Sequence, residues 1–311
     1  VPFRPMSLAI VIEDWNTREL VEAIHAQAPD IQVQVWPDMD APAAVQLGLV
    51  WGQLPGDLFA RLPNMGAVVS AGAGVDRLLN NAIPPDIAIG RLVLRSLATD
   101  MTGYCLGVIL HRSREFDAYA AQQAENNWQP RPPLRPTVGI LGMGQLGSHL
   151  AKHLVALDFL VCGWRRSDAG DTACRVYTGE TGLREVAGQS DYLVCLLPLT
   201  PETRGLLNRD LFRCCRPGAY LVNAGRGGHL VDRDLLEALD QGWLGGACLD
   251  VFEPEPLPAG HPYWGHPDIR ITPHVSSPTN QAHAARAIIQ DYRLLQAGQP
   301  LTHAVDRVRG Y

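Results

Sequence analysis

The chain has 311 residues, of which 46% are hydrophobic and 19% are charged, and its formal net charge is -6 at pH 7. This length and composition are typical of a globular protein with room for two domains. Because the net charge is negative and no dense Lys/Arg run occurs, bulk attraction to nucleic acid or to an acidic membrane is excluded, and any anion site must be local.

The first hundred residues alternate short apolar runs with helical patterns. Strands are predicted at 8–12, 33–36, 47–51, 67–70 and 92–94, and a helix is predicted at 17–28. The runs are apolar throughout, which is typical of strands covered on both faces. Because strands and helices alternate, the sequence predicts a parallel sheet with right-handed crossovers.

A second α/β series follows a long helical pattern at about 100–125 and a proline-rich stretch at 126–136, which we interpret as a boundary. Strands are predicted at 137–141, 159–164, 191–198, 219–223, 246–251 and 269–272. The last helix, at about 279–297, is stopped by Gly298 and Pro300. The expected fold class is α/β, with two Rossmann-like or flavodoxin-like doubly wound parallel-sheet domains and a cleft between them.

Seven cysteines occur, an odd number without a C-x-x-C pair, and several lie in apolar strand-like runs. This pattern favours buried thiols in a reducing compartment over a disulfide framework or a metal site. The N-terminal apolar run is too short for a signal peptide or a membrane span. We therefore expect a cytoplasmic protein without a membrane partner.

A glycine-rich turn follows the predicted strand at 137–141 and opens a helical pattern. Gly142 permits the tight turn, Gly144 lets a pyrophosphate reach the backbone, and Gly147 lets the helix pack on the strand. Phosphates bind the free N–H groups at such a helix start. This context favours a dinucleotide site over a structural turn, with the contacts assigned to Gly142, Met143, Gly144, Gln145, Leu146 and Gly147.

The next strand ends in Trp164, Arg165, Arg166 and Ser167, where an NAD site usually has an acidic residue for the ribose. Two arginines and a serine suit a 2′-phosphate, with Trp164 or an arginine plane against the adenine. We therefore favour NADP(H) over NAD(H). A solvated basic loop is the alternative, and Asp168 could still turn back to the ribose.

Four polar side chains follow the ends of later predicted strands: Arg226, Asp250, Glu255 and His274. In an open α/β sheet the ligand crevice lies at those carboxyl ends, so we expect Arg226, Glu255 and His274 to converge there. A guanidinium between glycines suits a carboxylate. Taken singly, each of the three residues is also explained as a solvated or hydrogen-bonded loop residue.

The sequence resembles the D-isomer-specific 2-hydroxyacid dehydrogenase family, and the resemblance extends over nearly the whole chain. Four motifs of that family occur here in the same order: the glycine loop, the "NAGRGG" turn, "DVFEPEPLP" and the late "PH". The glyoxylate/hydroxypyruvate reductase A group is the most similar, because "AGAGVD" (71–76) and "WQP" (128–130) are also alike. The resemblance implies a substrate-binding domain of residues 1–99 plus 280–311 and an NAD(P)-binding Rossmann domain of residues 100–279.

The resemblance also implies roles for the site residues. Arg226 would bind the carboxylate and carbonyl side of a 2-keto acid, and His274 would be the general acid, with Glu255 favouring its imidazolium form. Asp250 would accept from the nicotinamide carboxamide. Further cofactor contacts are expected at Leu197, Pro198, Thr203 and Ala224, and substrate contacts at Trp51, Ala73 and Gly74.

We thus predict an NADPH-dependent reductase of small 2-keto acids that gives glycolate from glyoxylate and D-glycerate from hydroxypyruvate. The resemblance implies a homodimer in which Trp128 reaches the neighbouring subunit; a packed aromatic in the proline-rich stretch is the alternative for this residue. An NAD-linked dehydrogenase of another acid and a non-catalytic dinucleotide sensor are the alternatives; a methyltransferase would leave Arg226, Glu255 and His274 without a role. Relatives often carry a glutamate where Gly103 precedes Tyr104, which leaves nicotinamide contacts near Met101 open. Glu255 argues against the formate dehydrogenase branch, which has glutamine.

Overall fold

The computed structural model describes residues 6–13, 15–131, 136–166, 172–308 and 310. The chain divides into two compact units. Unit 1 comprises residues 1–97 and 279–311, and unit 2 comprises residues 98–278. The proline-rich stretch does not divide them, because its described residues belong to unit 2. The assignment of substrate and cofactor to separate units stays a prediction.

Unit 1 is built on a parallel sheet in the order β2-β1-β3-β4-β5. Its strands are β1 (Ser7–Val11), β2 (Gln32–Val35), β3 (Val45–Val50), β4 (Ala67–Ser70) and β5 (Ala88–Arg91). Its helices are α1 (Arg18–Gln27), α2 (Leu58–Arg61) and α3 (Asp76–Leu79), and α4 (Arg95–Ser113) contains the division between the units. The strand predicted at 92–94 is wrong, because pairing with β4 ends at Arg91.

Unit 2 is also built on a parallel sheet, in the order β12-β11-β10-β9-β6-β7-β8. Its strands are β6 (Thr137–Leu141), β7 (Leu160–Trp164), β8 (Arg175–Tyr177), β9 (Tyr192–Cys195), β10 (Ala219–Asn223), β11 (Leu244–Leu249) and β12 (Ile269–Ile271). Its helices are α5 (Phe116–Ala124), α6 (Gln145–Ala156), α7 (Gly179–Gln189), α8 (Arg209–Phe212) and α9 (Asp232–Asp240).

The central strands of unit 2 bury both faces, as their unbroken apolar runs predict. Leu193 and Leu221 pack in a cluster with α7, α8 and α9, whereas Val194 and Val222 pack in a cluster with α4 and α6. Successive strand residues point to opposite faces, so each face contributes its own core. Strand order reverses between β6 and β9, which makes the ends of these two strands the switch point where ligands bind in such sheets.

The final helix returns the chain to unit 1. Helix α10 (Gln281–Gln296) buries Ile288 and Tyr292 and packs on α1, and the Tyr292 hydroxyl donates to the Met6 carbonyl over 2.5 Å. Arg293 forms an ion pair with Asp30 at 2.5 Å. No helix among the described residues is long and apolar enough to cross a membrane.

Candidate active site

Two glycines of the loop after β6 lie in close contact with neighbouring backbone. Gly142 has φ +109°, and a Cβ there would lie 2.8 Å from the carbonyl carbon of Leu196. A Cβ on Gly147 would lie 2.1 Å from the Gly142 carbonyl oxygen. A side chain is therefore excluded at both positions, by the left-handed backbone at the first and by the approach of helix to strand at the second.

The middle glycine of the loop faces open space. No heavy atom lies within 4 Å of the position that a Cβ on Gly144 would take, and this residue caps the N-terminus of α6. Gln145 and Leu146 follow in the first helical turn, whose N–H groups have no acceptor within the helix. The Met143 side chain is buried against Gly163, so its backbone, and not its side chain, is available to a ligand. The loop therefore fits the pyrophosphate of a dinucleotide.

The residues after β7 divide into a buried and an exposed part. The Trp164 ring is 8% exposed, and its indole N–H donates to the Gly179 carbonyl over 2.8 Å, so the ring is a core residue and not an open stacking surface for adenine. Arg166 is exposed and lies 3.9 Å from Glu202. Arg165 is half-buried, and Ser167 and Asp168 fall outside the described residues.

The turn after β9 is closed by a threonine. The Thr203 hydroxyl donates to the Pro198 carbonyl over 2.8 Å and accepts from the backbone N–H of Thr200 over 2.8 Å. Leu197 is buried, whereas Pro198 is exposed. The Thr203 side chain, which is predicted to contact cofactor, therefore also holds the shape of this turn. On the next strand end, the Ala224 N–H donates to the Cys195 carbonyl over 3.2 Å.

The buried carboxylate of Asp250 organises the segment that carries His274. It accepts from the backbone N–H groups of Val275 and Ser276, each over 2.9 Å, and from the Thr272 hydroxyl over 2.5 Å. Such a carboxylate needs these donors, because an unpaired buried charge is costly. Contact of Asp250 with a nicotinamide carboxamide stays a prediction.

Tyr104 extends this hydrogen-bonded chain from α4. Its hydroxyl lies 2.7 Å from the Thr272 hydroxyl oxygen and 3.3 Å from the Cys248 sulfur. Burial raises the pKa of Tyr104 well above its usual range, so the hydroxyl keeps its proton at neutral pH. Tyr104 can therefore donate to Thr272, which in turn donates to Asp250.

Glu255 and His274 form a hydrogen-bonded pair. One carboxylate oxygen of Glu255 lies 2.9 Å from His274 Nδ1, and the other accepts from the Phe252 N–H over 3.0 Å. The Glu255 side chain is 17% exposed and that of His274 is 35% exposed. A proton on Nδ1 directed at Glu255 leaves Nε2 as the ring atom that can exchange a proton with a substrate.

The backbone of His274 is held in an unusual conformation. Its φ is +53°, a left-handed value that residues other than glycine seldom adopt. Its N–H donates to the Asp250 carbonyl over 2.9 Å and to the Thr272 carbonyl over 3.1 Å. Strained backbone of this kind persists where the surroundings over-determine it, and it clusters at functional sites.

The turn that carries Arg226 lies against the segment that carries Glu255. A Cβ on Gly228 would lie 2.7 Å from a Glu253 carboxylate oxygen, and Arg204 binds the same carboxylate through two nitrogens, over 2.6 and 3.2 Å. Arg226 is half-buried, and its guanidinium donates to the Gly225 carbonyl over 2.8 Å. The structure therefore brings the predicted Arg226, Glu255 and His274 elements together at the carboxyl ends of β10, β11 and β12.

In unit 1, the predicted substrate residues lie on two adjoining loops. The indole of Trp51 is seated on Gly72, where a Cβ would come within 2.5 Å of the ring. The Ala73 carbonyl accepts from Arg91 over 3.3 Å, and the Gly74 carbonyl accepts from the Ser70 hydroxyl over 2.9 Å. Trp51 also lines an open cavity of about 420 Å³ in this unit, with Glu13, Gly52, Gln53, Arg77 and Asn80.

Sequence reasoning missed His229, which has no exposed surface. Its ring nitrogens lie within hydrogen-bonding distance of the Arg226 backbone and of the Pro198 carbonyl. Its position three residues after Arg226 could have indicated the contact, because residues at that spacing can bond to each other across a tight turn. Thr272 and Tyr104 carried no such signal, since their partners are distant in sequence.

Residues 106–276 match the family described as "D-isomer specific 2-hydroxyacid dehydrogenase, NAD binding domain". The chain is 38% identical over 307 residues to glyoxylate/hydroxypyruvate reductase A of Serratia proteamaculans (strain 568), and the alignment covers 96% of this chain and 97% of that protein.

Two solved structures are similar over almost the whole chain. A D-isomer specific 2-hydroxyacid dehydrogenase from Xanthobacter autotrophicus Py2, in complex with NADPH and MES, gives a TM-score of 0.93 at 33% identity and covers 99% of this chain and 100% of that one. An NADPH-dependent glyoxylate/hydroxypyruvate reductase from Sinorhizobium meliloti, in complex with NADP and sulfate, gives a TM-score of 0.90 at 35% identity. That similarity covers 98% of this chain and 100% of the other.

Proposed function

This chain belongs to the D-isomer specific 2-hydroxyacid dehydrogenase family, and on that premise we propose that it reduces small 2-keto acids, glyoxylate and hydroxypyruvate first among them, with NADPH. The observation that carries the proposal is the Glu255–His274 pair, whose atoms lie 2.9 Å apart. A carboxylate that binds one ring nitrogen fixes the orientation of the imidazole and directs the other nitrogen away from it. That is the preparation a histidine needs to act as an acid.

Each residue of the site has a defined role in this proposal. Arg226 binds the carboxylate of the keto acid, orients its carbonyl group and stabilises the negative charge that develops on the carbonyl oxygen. His274 delivers a proton from Nε2 to that oxygen. Glu255 holds Nδ1 of the ring. When the reaction runs in reverse, the same nitrogen removes the proton from the hydroxyl group of the 2-hydroxy acid.

The residues of unit 2 fit a nicotinamide dinucleotide. The open space at Gly144 admits a pyrophosphate, and the exposed Arg166 guanidinium suits a 2′-phosphate, which favours NADP(H) over NAD(H). The bound cofactor would supply the hydride that the keto carbon receives. Leu197, Pro198, Thr203 and Ala224 are proposed as further contacts because they follow the ends of β9 and β10.

Trp51, Ala73 and Gly74 are proposed to bind the substrate from unit 1. Backbone N–H groups in a loop of small residues suit a carboxylate, and a bulky indole favours short substrates. Gly72 supports this assignment, because it gives the indole a fixed seat.

Initial rates test the function directly. The purified protein should reduce glyoxylate and hydroxypyruvate with NADPH, with a higher kcat/KM than with NADH. Replacing His274 with Ala should lower kcat by about 10²–10⁴-fold, and replacing Arg226 with Ala should raise KM for the keto acid as well, with NADPH affinity retained. Tight NADPH binding without turnover of any 2-keto acid would instead favour the non-catalytic sensor.

We also propose a cytoplasmic homodimer. All seven cysteines, each within the described residues, are free thiols, as a reducing compartment allows. Trp128 is 93% exposed, which is unusual for so large an apolar ring. Light scattering of the purified protein gives its mass, and replacing Trp128 with Ser should weaken the dimer if the ring contacts a second subunit.

A further inference from the structure

His229 is a buried residue in hydrogen-bonded contact with the Arg226 turn. The ring has 0% exposure, its Nδ1 lies 3.1 Å from the backbone nitrogen of Arg226, and its Nε2 lies 3.3 Å from the Pro198 carbonyl oxygen. The ring also fills the space beside Gly225, where a Cβ would lie 3.2 Å from it. None of the tasks assigned above to the site residues uses this histidine.

The ring contacts the Cys195 side chain as well as Pro198, and it has two possible hydrogen-bonding arrangements toward Arg226. Nδ1 lies 3.1 Å from both the nitrogen and the carbonyl oxygen of Arg226, so it can accept from the first or donate to the second. The carbonyl already accepts from the Asn223 side-chain amide over 3.1 Å and from the His229 N–H over 3.3 Å. A neutral ring with its proton on Nε2 therefore provides the acceptor for Arg226 and the donor for Pro198.

We propose that His229 is a positioning residue for Arg226, acting through the hydrogen bond from the Arg226 backbone N–H to Nδ1. This inference rests on the proposed function, in which Arg226 binds the carboxylate of the keto acid. The bond fixes the backbone from which the guanidinium projects. The Nε2 bond to Pro198 ties the same turn to the one that follows β9. Loss of Nδ1 then weakens keto-acid binding while the glycine loop still binds NADPH.

Two amide variants separate the two ring nitrogens. In His229→Asn the side-chain oxygen takes the place of Nδ1, and in His229→Gln the side-chain amide nitrogen takes the place of Nε2. The asparagine variant keeps an acceptor for Arg226 and loses the Pro198 contact, whereas the glutamine variant does the reverse. His229→Ala loses both contacts. The positioning role requires the asparagine variant to bind keto acid better than the other two.

The experiment measures KM and kcat for glyoxylate, the Kd of NADPH, and the Kd of oxalate, a non-reacting acid, on the NADPH-loaded protein. His229→Ala and His229→Gln should weaken oxalate binding and raise KM by about tenfold, the effect of one hydrogen bond, while His229→Asn restores most of the affinity. The Kd of NADPH should stay within about twofold in all three. Thermal melting accompanies each measurement.

A double variant distinguishes positioning from general packing. In the Arg226→Ala background, adding His229→Ala should not weaken oxalate binding further, because the positioned group is gone. If the losses of oxalate affinity in the two single variants add up in the double variant, the inference is overturned. Unchanged oxalate binding in His229→Ala also overturns it, and so do equal losses of folding or affinity in His229→Asn and His229→Gln. If Arg226→Ala itself leaves KM, kcat and oxalate binding unchanged, the proposed function fails instead.

Discussion

A Cβ placed on Gly227 would lie 2.0 Å from the carbonyl carbon of Phe252, so the Arg226 turn and the Glu255 segment are in direct backbone contact. Phe252 also donates its N–H to Glu255 over 3.0 Å. These two segments are therefore placed relative to each other by main chain, which deforms less readily than side chains do.

Replacing Gly227 with Ala should consequently damage both stability and activity. The obstructing atoms are backbone, so the strain should reach or exceed the roughly 1–3 kcal/mol of an ordinary overpacked core. Urea unfolding and kcat/KM for glyoxylate measure the two effects. Gly260→Ala is the matched control, since nothing lies within 4 Å of its Cβ position. An active Gly227→Ala protein of normal stability would contradict this contact.

Gly144 and Gly147 should respond differently to the same substitution. Gly147→Ala places a methyl group 2.1 Å from the Gly142 carbonyl oxygen and should lower the melting temperature without cofactor. Gly144→Ala enters open space, so it should lower that temperature less than Gly147→Ala does and should weaken NADPH binding by blocking the approach of the pyrophosphate. Thermal melting and fluorescence titration with NADPH separate the two outcomes; normal NADPH affinity in Gly144→Ala would place the phosphates elsewhere.

Replacing Arg166 with Ala should reduce the preference for NADPH. Loss of one charge-assisted hydrogen bond corresponds to about tenfold or more in kcat/KM for NADPH, with little change for NADH. The ratio of the two values is the measurement. Arg184, an exposed arginine paired with Glu180 at 3.0 Å, supplies the control Arg184→Ala. An unchanged ratio would remove Arg166 from cofactor discrimination.

Thr272→Val should cost more stability than Tyr104→Phe. Thr272→Val removes a hydrogen-bond donor from the buried Asp250 carboxylate, which should lower the free energy of unfolding by about 1–3 kcal/mol. Tyr104→Phe leaves Thr272 bonded to Asp250, so it should lower that free energy by about 0.5–1.5 kcal/mol. Urea unfolding compares them, with the exposed Thr181→Val as control. The reverse order of stabilities would mean that Asp250 does not depend on this hydroxyl.

Gly72→Ala should change substrate selection more than stability. The added methyl group would meet the indole of Trp51 at 2.5 Å, and the half-buried ring can move to relieve that contact. If Trp51 limits substrate length, displacement of the ring should raise the kcat/KM of phenylpyruvate relative to glyoxylate. Trp51→Phe should shift the ratio in the same direction. A constant ratio in both variants would exclude Trp51 from the substrate pocket.

The features predictable from sequence are those in which local pattern and long-range packing agree. Unbroken apolar runs predicted parallel strands covered on both faces, and the glycine spacing predicted three different environments for Gly142, Gly144 and Gly147. Strand limits were less accurate, because pairing with β4 fixes β5 at Ala88–Arg91, before the apolar run at 92–94. The predicted helix of residues 100–125 is interrupted at Glu115, where φ is +56° and neither glycine nor proline marks the break.

At the site, sequence order indicated which residues gather but not which way they face. Trp164 ends β7 and Asp250 follows β11, and both were predicted to contact cofactor. The structure turns the Trp164 ring into the core, and it bonds the Asp250 carboxylate to the segment that carries His274, while contact of Asp250 with cofactor stays a prediction. Which side of a strand end faces a ligand depends on the neighbouring strands and helices, and these are distant in sequence.

Because α10 packs on α1 and the chain after Thr279 belongs to unit 1, that unit is discontinuous in sequence. Residues 98–278 leave the ribosome before the last helix of unit 1 does. Unit 2 can therefore finish folding first, while part of the apolar surface of unit 1 stays exposed until α10 packs on it. Chains that end at residue 278 should accordingly bind chaperones more than the full chain does.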